Sequence, residues 1–133
     1  MNVGIVGSRR YRPVGLIGRL LDQLEDAYPL LTIVSGGEPT GVDNAVAEAC
    51  RARGYHECSD RLCTRRRHLV EHLPTEKKRA AYFARNTLIA KDSQELYAFY
   101  APGPLSPGTT DTVMKADSHI PVWTHHEGEW VHN

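Results

Sequence analysis

The chain has 133 residues, 41% of them apolar, which suits one domain with one core. Its net charge is zero, and no apolar run approaches the roughly 20 residues of a membrane span. The charge is uneven: residues 51–91 carry eleven Lys/Arg against four Asp/Glu, with an acidic excess on both sides, which suits an anionic ligand, a nucleic-acid strand or an acidic partner subunit.

Met1 to Gly7 reads as a buried first strand, with no basic leader or cleavable apolar stretch before it, so no secretory signal is expected. With an odd cysteine count (Cys50, Cys58, Cys63), this predicts a reducing, cytoplasmic setting. A helix begins at Arg12-Pro13, proline being tolerated in a first turn, and Val14, Ile17, Leu20, Leu21 and Leu24 recur at helical spacing before Pro29. Leu31–Ser35 is a short apolar strand and Gly36–Gly41 a turn. Asp43–Arg53 is a helix that packs through Ala45, Val46, Ala49, Cys50 and Ala52 and is capped by Gly54. Tyr55–Cys58 is expected as a third strand, and residues 59–75 are basic and ambiguous. A long helix runs from Thr75 to Ala90, a fourth strand from Leu96 to Tyr100, a helix from Gly108 to Asp117 and a fifth strand from Ile120 to Thr124. The tail from His125 to His132 suits an edge strand or a dimerisation segment, and its histidines are also metal-ligand types. Residues 1–133 read as a single domain, with 55–80 its variable basic part. Strands alternating with helices predict an α/β, Rossmann-like, doubly wound and mostly parallel sheet of about five strands with helices on both faces.

Three glycine-bearing turns carry the chemistry, each at a strand-to-helix handover: Gly7-Ser8-Arg9-Arg10, Ser35-Gly36-Gly37 running on to Gly41-Val42-Asp43, and Ser106-Pro107-Gly108-Thr109-Thr110. Glycine lets a ligand approach the backbone, hydroxyls add donors, and a helix N-terminus offers free N–H groups and a positive dipole end. Ligands of such sheets bind beyond the carboxyl ends of the strands, where all three turns fall, so together they predict a cradle for phosphate groups. Arg9 and Arg10 can fork onto phosphate or carboxylate. The first turn is not a Walker loop, because the Gly-Lys-Ser/Thr ending is missing. Asp43 can cap its helix or accept from a ribose hydroxyl. Asn86 is a weak helix former inside the long helix, so Arg85-Asn86 is expected at the cradle or at a dimer seam.

In this order, Gly-Ser-Arg-Arg, Ser-Gly-Gly…Gly-Val-Asp, Arg85-Asn86 and Ser-Pro-Gly-Thr-Thr resemble the SLOG superfamily over roughly residues 1–123. That Rossmann-like group includes the lonely-guy phosphoribohydrolases, the DNA-processing protein A fold and nucleotide-sensing defence domains. The chain looks most like its small bacterial and phage members. The resemblance implies binding of a nucleotide-derived ligand, a nucleotide sugar or an ADP-ribose-like molecule, by a sensor or sequestering protein, with Gly7, Ser8, Arg9, Arg10, Ser35, Gly36, Gly37, Gly41, Val42, Asp43, Arg85, Asn86, Ser106, Gly108, Thr109 and Thr110 as ligand-binding residues. It also implies a homodimer or higher homo-oligomer. The alternative it implies is hydrolysis of an N-glycosidic bond in a nucleoside monophosphate. Gly108-Thr109 matches the Gly-Thr of the lonely-guy signature and Arg85 its partner arginine, but the glutamate of that signature falls on Thr112, which has no carboxylate to stabilise an oxocarbenium ion or activate water. Asp111, the adjacent carboxylate, is turned about 100° away around the helix.

Two rival readings involve the basic middle. Cys58, Cys63, His68 and His72 are zinc-ligand types, but their spacing matches no common finger, so no metal and no cofactor is expected. Arg65-Arg66-Arg67 with Lys77-Lys78-Arg79 suits nucleic acid, a solvated face or a subunit contact, and it is expected to lie outside the glycine cradle. The long helix is partly apolar (Ala80, Ala81, Phe83, Ala84, Leu88, Ile89), and that face suits burial against a second copy.

Overall fold

The computed structural model describes residues 1–55, 65–67 and 75–133, with backbone alone for 65–67 and 75–80. Strands β1 (Asn2–Gly7), β2 (Thr32–Ser35), β3 (Arg65–Arg67), β4 (Glu95–Phe99), β5 (Val122–His126) and β6 (Glu129–His132) form one sheet in the order β3-β2-β1-β4-β5-β6. The first five run parallel and β6 returns antiparallel to β5. Helices α1 (Val14–Ala27), α2 (Gly41–Ala52), α3 (Thr75–Asp92) and α4 (Pro107–Asp117) make the crossovers. This is the doubly wound α/β arrangement expected, with one strand more than the five anticipated.

Period-two alternation along the strands feeds two cores. Val3, Ile5, Ile33 and Phe99 point to one face, where Ile17, Leu20, Leu21 and Leu24 of α1 and Ala45, Val46 and Cys50 of α2 cover them. Val6, Val34, Leu96, Ala98 and Val122 point to the other, against Ile89 and Ala90 of α3 and Val113 and Ala116 of α4. Val14 and Ala52, expected on packing faces, are exposed at the helix ends.

The third strand differs from expectation. Tyr55 lies outside any strand, 56–58 fall outside the described residues, and the strand beside β2 is Arg65–Arg67. Tyr55 is used to close the preceding helix. Gly54, at φ +77°, turns the chain so that the Tyr55 N–H donates to the Cys50 carbonyl at 3.0 Å and its hydroxyl to Glu25 Oε1 at 2.6 Å. Burial and that carboxylate push the Tyr55 phenol well up. Because Arg67 pairs with Ser35, β3 ends at the carboxyl edge of the sheet, level with the turn after β2, although the run was expected to lie outside the glycine cradle.

The tail is an edge strand. Glu127 (φ +51°) and Gly128 (φ +84°) both sit in the left-handed region, as a two-residue hairpin requires, and they set His126 opposite Glu129. Trp123 stacks on Tyr97 at 5.0 Å, and Trp130 meets Phe99 edge-on at 5.2 Å, so both tryptophans pack.

Candidate functional site

The turn after β1 is anchored on both sides. The Ser8 carbonyl accepts from the Val42 N–H at 3.1 Å, and the Ser8 N–H donates to the Phe99 carbonyl at 3.3 Å. A side chain on Gly7 would lie 2.6 Å from the Phe99 carbonyl oxygen. Gly41, at φ +66°, lets the start of α2 press against the Ser8-Arg9 backbone, where any Cβ would collide. Gly41 and the fully buried Val42 therefore hold the Ser8 turn in place and do not line the cleft that it borders.

That cleft has a volume of about 310 Å³ and opens at the carboxyl ends of β1, β2 and β4. Gly7, Ser8, Arg9 and Arg10 form its centre. Glu38 and Asp43 line it from the β2 side, and Ser106, Gly108, Thr109 and Thr112 from the β4 side at the N-terminus of α4. Tyr82, Arg85, Asn86 and Ile89 of α3 face it, with Val6 below.

Arg85 and Asn86 tie the two walls together. Arg85 Nη1 donates to the Gly36 carbonyl and to Glu38 Oε1, both at 3.3 Å, and the Arg85–Glu38 pair is largely shielded from water. Asn86 Nδ2 donates to the Gly108 carbonyl at 3.2 Å and to Asp111 Oδ2 at 3.1 Å. Asn86 is only 4% exposed, so its amide is committed to these bonds. A weak helix former is held in α3 because it fastens the first turn of α4. Gly36 has no side chain where one would meet Arg85 and, at 2.6 Å, Asp43 Oδ2.

Asp43 is not the cap of α2. The helix starts at Gly41 after Thr40, and Asp43 Oδ2 instead accepts from the Glu38 N–H at 3.2 Å, shaping the loop. Ser35 is fully buried behind the cleft, its Oγ without a hydrogen-bond partner among the described residues. Gly37, at φ +68°, shapes the β2–α2 loop without lining the cleft. Thr110 bonds the Tyr100 hydroxyl at 2.9 Å, on a phenol whose ionisation burial pushes up. Asp111 is occupied by Asn86 and by Lys115 Nζ at 2.8 Å, outside the cleft lining. Thr112 lies in the cleft, and its hydroxyl donates to the Gly108 carbonyl at 3.3 Å.

Apart from the apolar Val6 and Ile89, two polar cleft residues were not expected from the sequence. Tyr82 lies one helical turn before Arg85, so the i, i+3 spacing was the available signal. The Arg9 guanidinium stands 4.2 Å from the Tyr82 ring centre and that of Arg85 at 5.3 Å. Glu38 lies inside the second glycine turn, and only the fold brings it onto Arg85.

Cys58, Cys63, His68 and His72 lie outside the described residues. Among the described residues, no group of three or more His, Cys, Asp or Glu is arranged to hold a metal ion, and no helix is long and apolar enough to cross a membrane.

No family model matches the chain, and no curated protein does. Among solved structures it is similar to a molybdenum cofactor binding protein from the phototrophic bacterium Rippkaea orientalis. The TM-score is 0.61 at 17% identity, covering 95% of this chain and 76% of that one, a likeness that shows the fold.

Proposed function

We propose that the cleft binds a phosphate-bearing, nucleotide-derived small molecule, and that the protein acts as a sensor or sequestering module. The observation that carries this reading is the convergence of the Gly7–Arg10 turn, with its two exposed arginines, and the N-terminus of α4 on one cleft. Backbone donors, a positive helix end and forked guanidinium groups together suit an anion. The Tyr82 ring, with the Arg9 guanidinium over it at 4.2 Å, holds that cation at the cleft by a cation–π contact. The fold-mate described as a molybdenum cofactor binding protein supports small-molecule binding on this architecture. Turnover is disfavoured because Thr112 stands in the cleft where a carboxylate is needed, and Asp111 is turned to Asn86 and Lys115.

The reading includes a homodimer formed through the outer side of α3, where Phe83 is 37% and Leu88 50% exposed. The test is a thermal-shift screen against nucleoside monophosphates, NAD, ADP-ribose, cyclic nucleotides and molybdenum cofactor, followed by chromatography of the incubated ligand. A stabilising shift with intact ligand supports a binder. Release of free base restores a hydrolase. No shift with any of them refutes the reading and turns attention to nucleic acid and the basic strand β3.

A further inference from the structure

The two walls of the cleft differ in charge. On the β4 side are a helix N-terminus, Gly108 and Thr109, with no acidic side chain in the lining. On the β2 side are Glu38 and Asp43, both largely withdrawn from water. The Arg9–Arg10 turn runs between them. An anion is attracted to the first wall, while the second presents carboxylate oxygens, those of Glu38 partly offset by Arg85, and so favours hydrogen-bond donors. A ligand that fills the cleft is therefore anionic at one end and presents hydrogen-bond donors at the other.

Carboxylates accept and never donate when ionised, so the β2 wall selects for O–H or N–H groups. Glu38 is the better placed of the two. Arg85 grips its Oε1 at 3.3 Å, and its own backbone N–H is fastened to Asp43 Oδ2 at 3.2 Å. Arg85 is held in turn by the Gly36 carbonyl. The carboxylate is thus fixed in orientation before any ligand arrives, which lowers the entropic cost of using it. A vicinal diol offers two O–H donors to such a group, and a 2′-deoxyribose offers one. Hydrogen bonds to a charged acceptor are among the stronger ones, and the pairing with Arg85 leaves the carboxylate with further lone pairs to offer a ligand.

Resting on the nucleotide-binding reading above, we infer that Glu38 is a specificity-determining residue that reads the ribose diol, so that the cleft takes ribonucleotides in preference to 2′-deoxyribonucleotides. The phosphate lies toward the α4 N-terminus and Arg9, the sugar hydroxyls lie against Glu38, and Asp43 holds the Glu38 loop in place.

The experiment is calorimetric titration of the full chain with the four ribonucleoside 5′-monophosphates and, in parallel, their 2′-deoxy forms. Each is repeated with Glu38→Gln, a same-size change in a loop, whose folding is checked by its melting curve. The expected result is a preference for the ribo form of about tenfold or more in the native chain, the equivalent of one good charged hydrogen bond. In Glu38→Gln that ratio falls severalfold, because the amide keeps one acceptor and loses the charge. Equal affinity of the native chain for ribo and deoxy forms overturns the inference while leaving nucleotide binding intact. A ratio unchanged in Glu38→Gln overturns the role of Glu38. No heat with any nucleotide overturns the nucleotide reading itself, and this inference with it. The native ribo-to-deoxy comparison involves no substitution, so a misfolded variant does not block the test.

Discussion

Replacing Gly41 with alanine tests the idea that the fold's own backbone, and not the ligand, demands this glycine. Two costs add. An L-residue at φ +66° loses about 1–2 kcal/mol to its own backbone. The added methyl also meets Ser8 O and the Arg9 backbone, which no side-chain rotation relieves. Forcing a methyl into such a contact costs about 1–3 kcal/mol more. The total of about 2–5 kcal/mol corresponds to a fall in melting temperature of roughly 6–20 °C for a chain of this size. Gly54 is the internal control. It has φ +77° but open space around the missing Cβ, so Gly54→Ala carries only the conformational part. Thermal unfolding followed by circular dichroism separates the two. Gly41→Ala melts well below Gly54→Ala, and ligand affinity falls with it because the Ser8 turn is pushed off its anchor. If the two variants melt together, the backbone contact is not what holds the turn, and the account of Gly41 is refuted.

Gly108→Asp introduces a carboxylate at the mouth of the cleft where nothing lies within 4 Å, so it leaves the melting temperature nearly unchanged but abolishes binding of nucleotides in titration. Asn86→Ala removes the amide that ties α3 to the Gly108 carbonyl and to Asp111, which keep Thr112 and Lys115 as partners, and is expected to cost about 0.5–1.5 kcal/mol in urea unfolding and to weaken ligand binding through the loosened start of α4. His125, 5% exposed and set between Phe99 and Trp130, has its pKa lowered from 6.5, first by burial and then by the neighbouring His126. The unfolded chain therefore takes up the proton first, so the contribution of this histidine is present above pH 6.5 and is lost as pH falls below it. His125→Phe flattens that part of a melting-temperature profile measured from pH 7.5 to 5, and an unchanged slope counts against it. Leu88→Glu places a charge on the exposed face of α3, and if the proposed dimer forms through that face, light scattering registers a monomer for the variant and a dimer for the native chain.

Much of this protein was legible in its sequence because the signals are local. Apolar runs alternating with amphipathic stretches set the parallel sheet and its two helix layers, and glycines at strand-to-helix junctions marked the edge where the cleft opens. The third strand was misplaced for a physical reason. Tyr55 has a strand-like side chain, but Gly54 turns it back to close α2, while the strand beside β2 is three arginines whose composition gives no apolar pattern. The sequence by itself determined the fold class and which turns meet. Only the tertiary structure decided what each turn residue does. Gly41 and Val42 serve the Ser8 turn, Asn86 binds the start of α4, and Glu38 is drawn onto Arg85, a residue 47 positions away. Those assignments depend on which backbone atoms come within hydrogen-bond reach when the helices close over the sheet, and local sequence carries no record of contacts made across that distance.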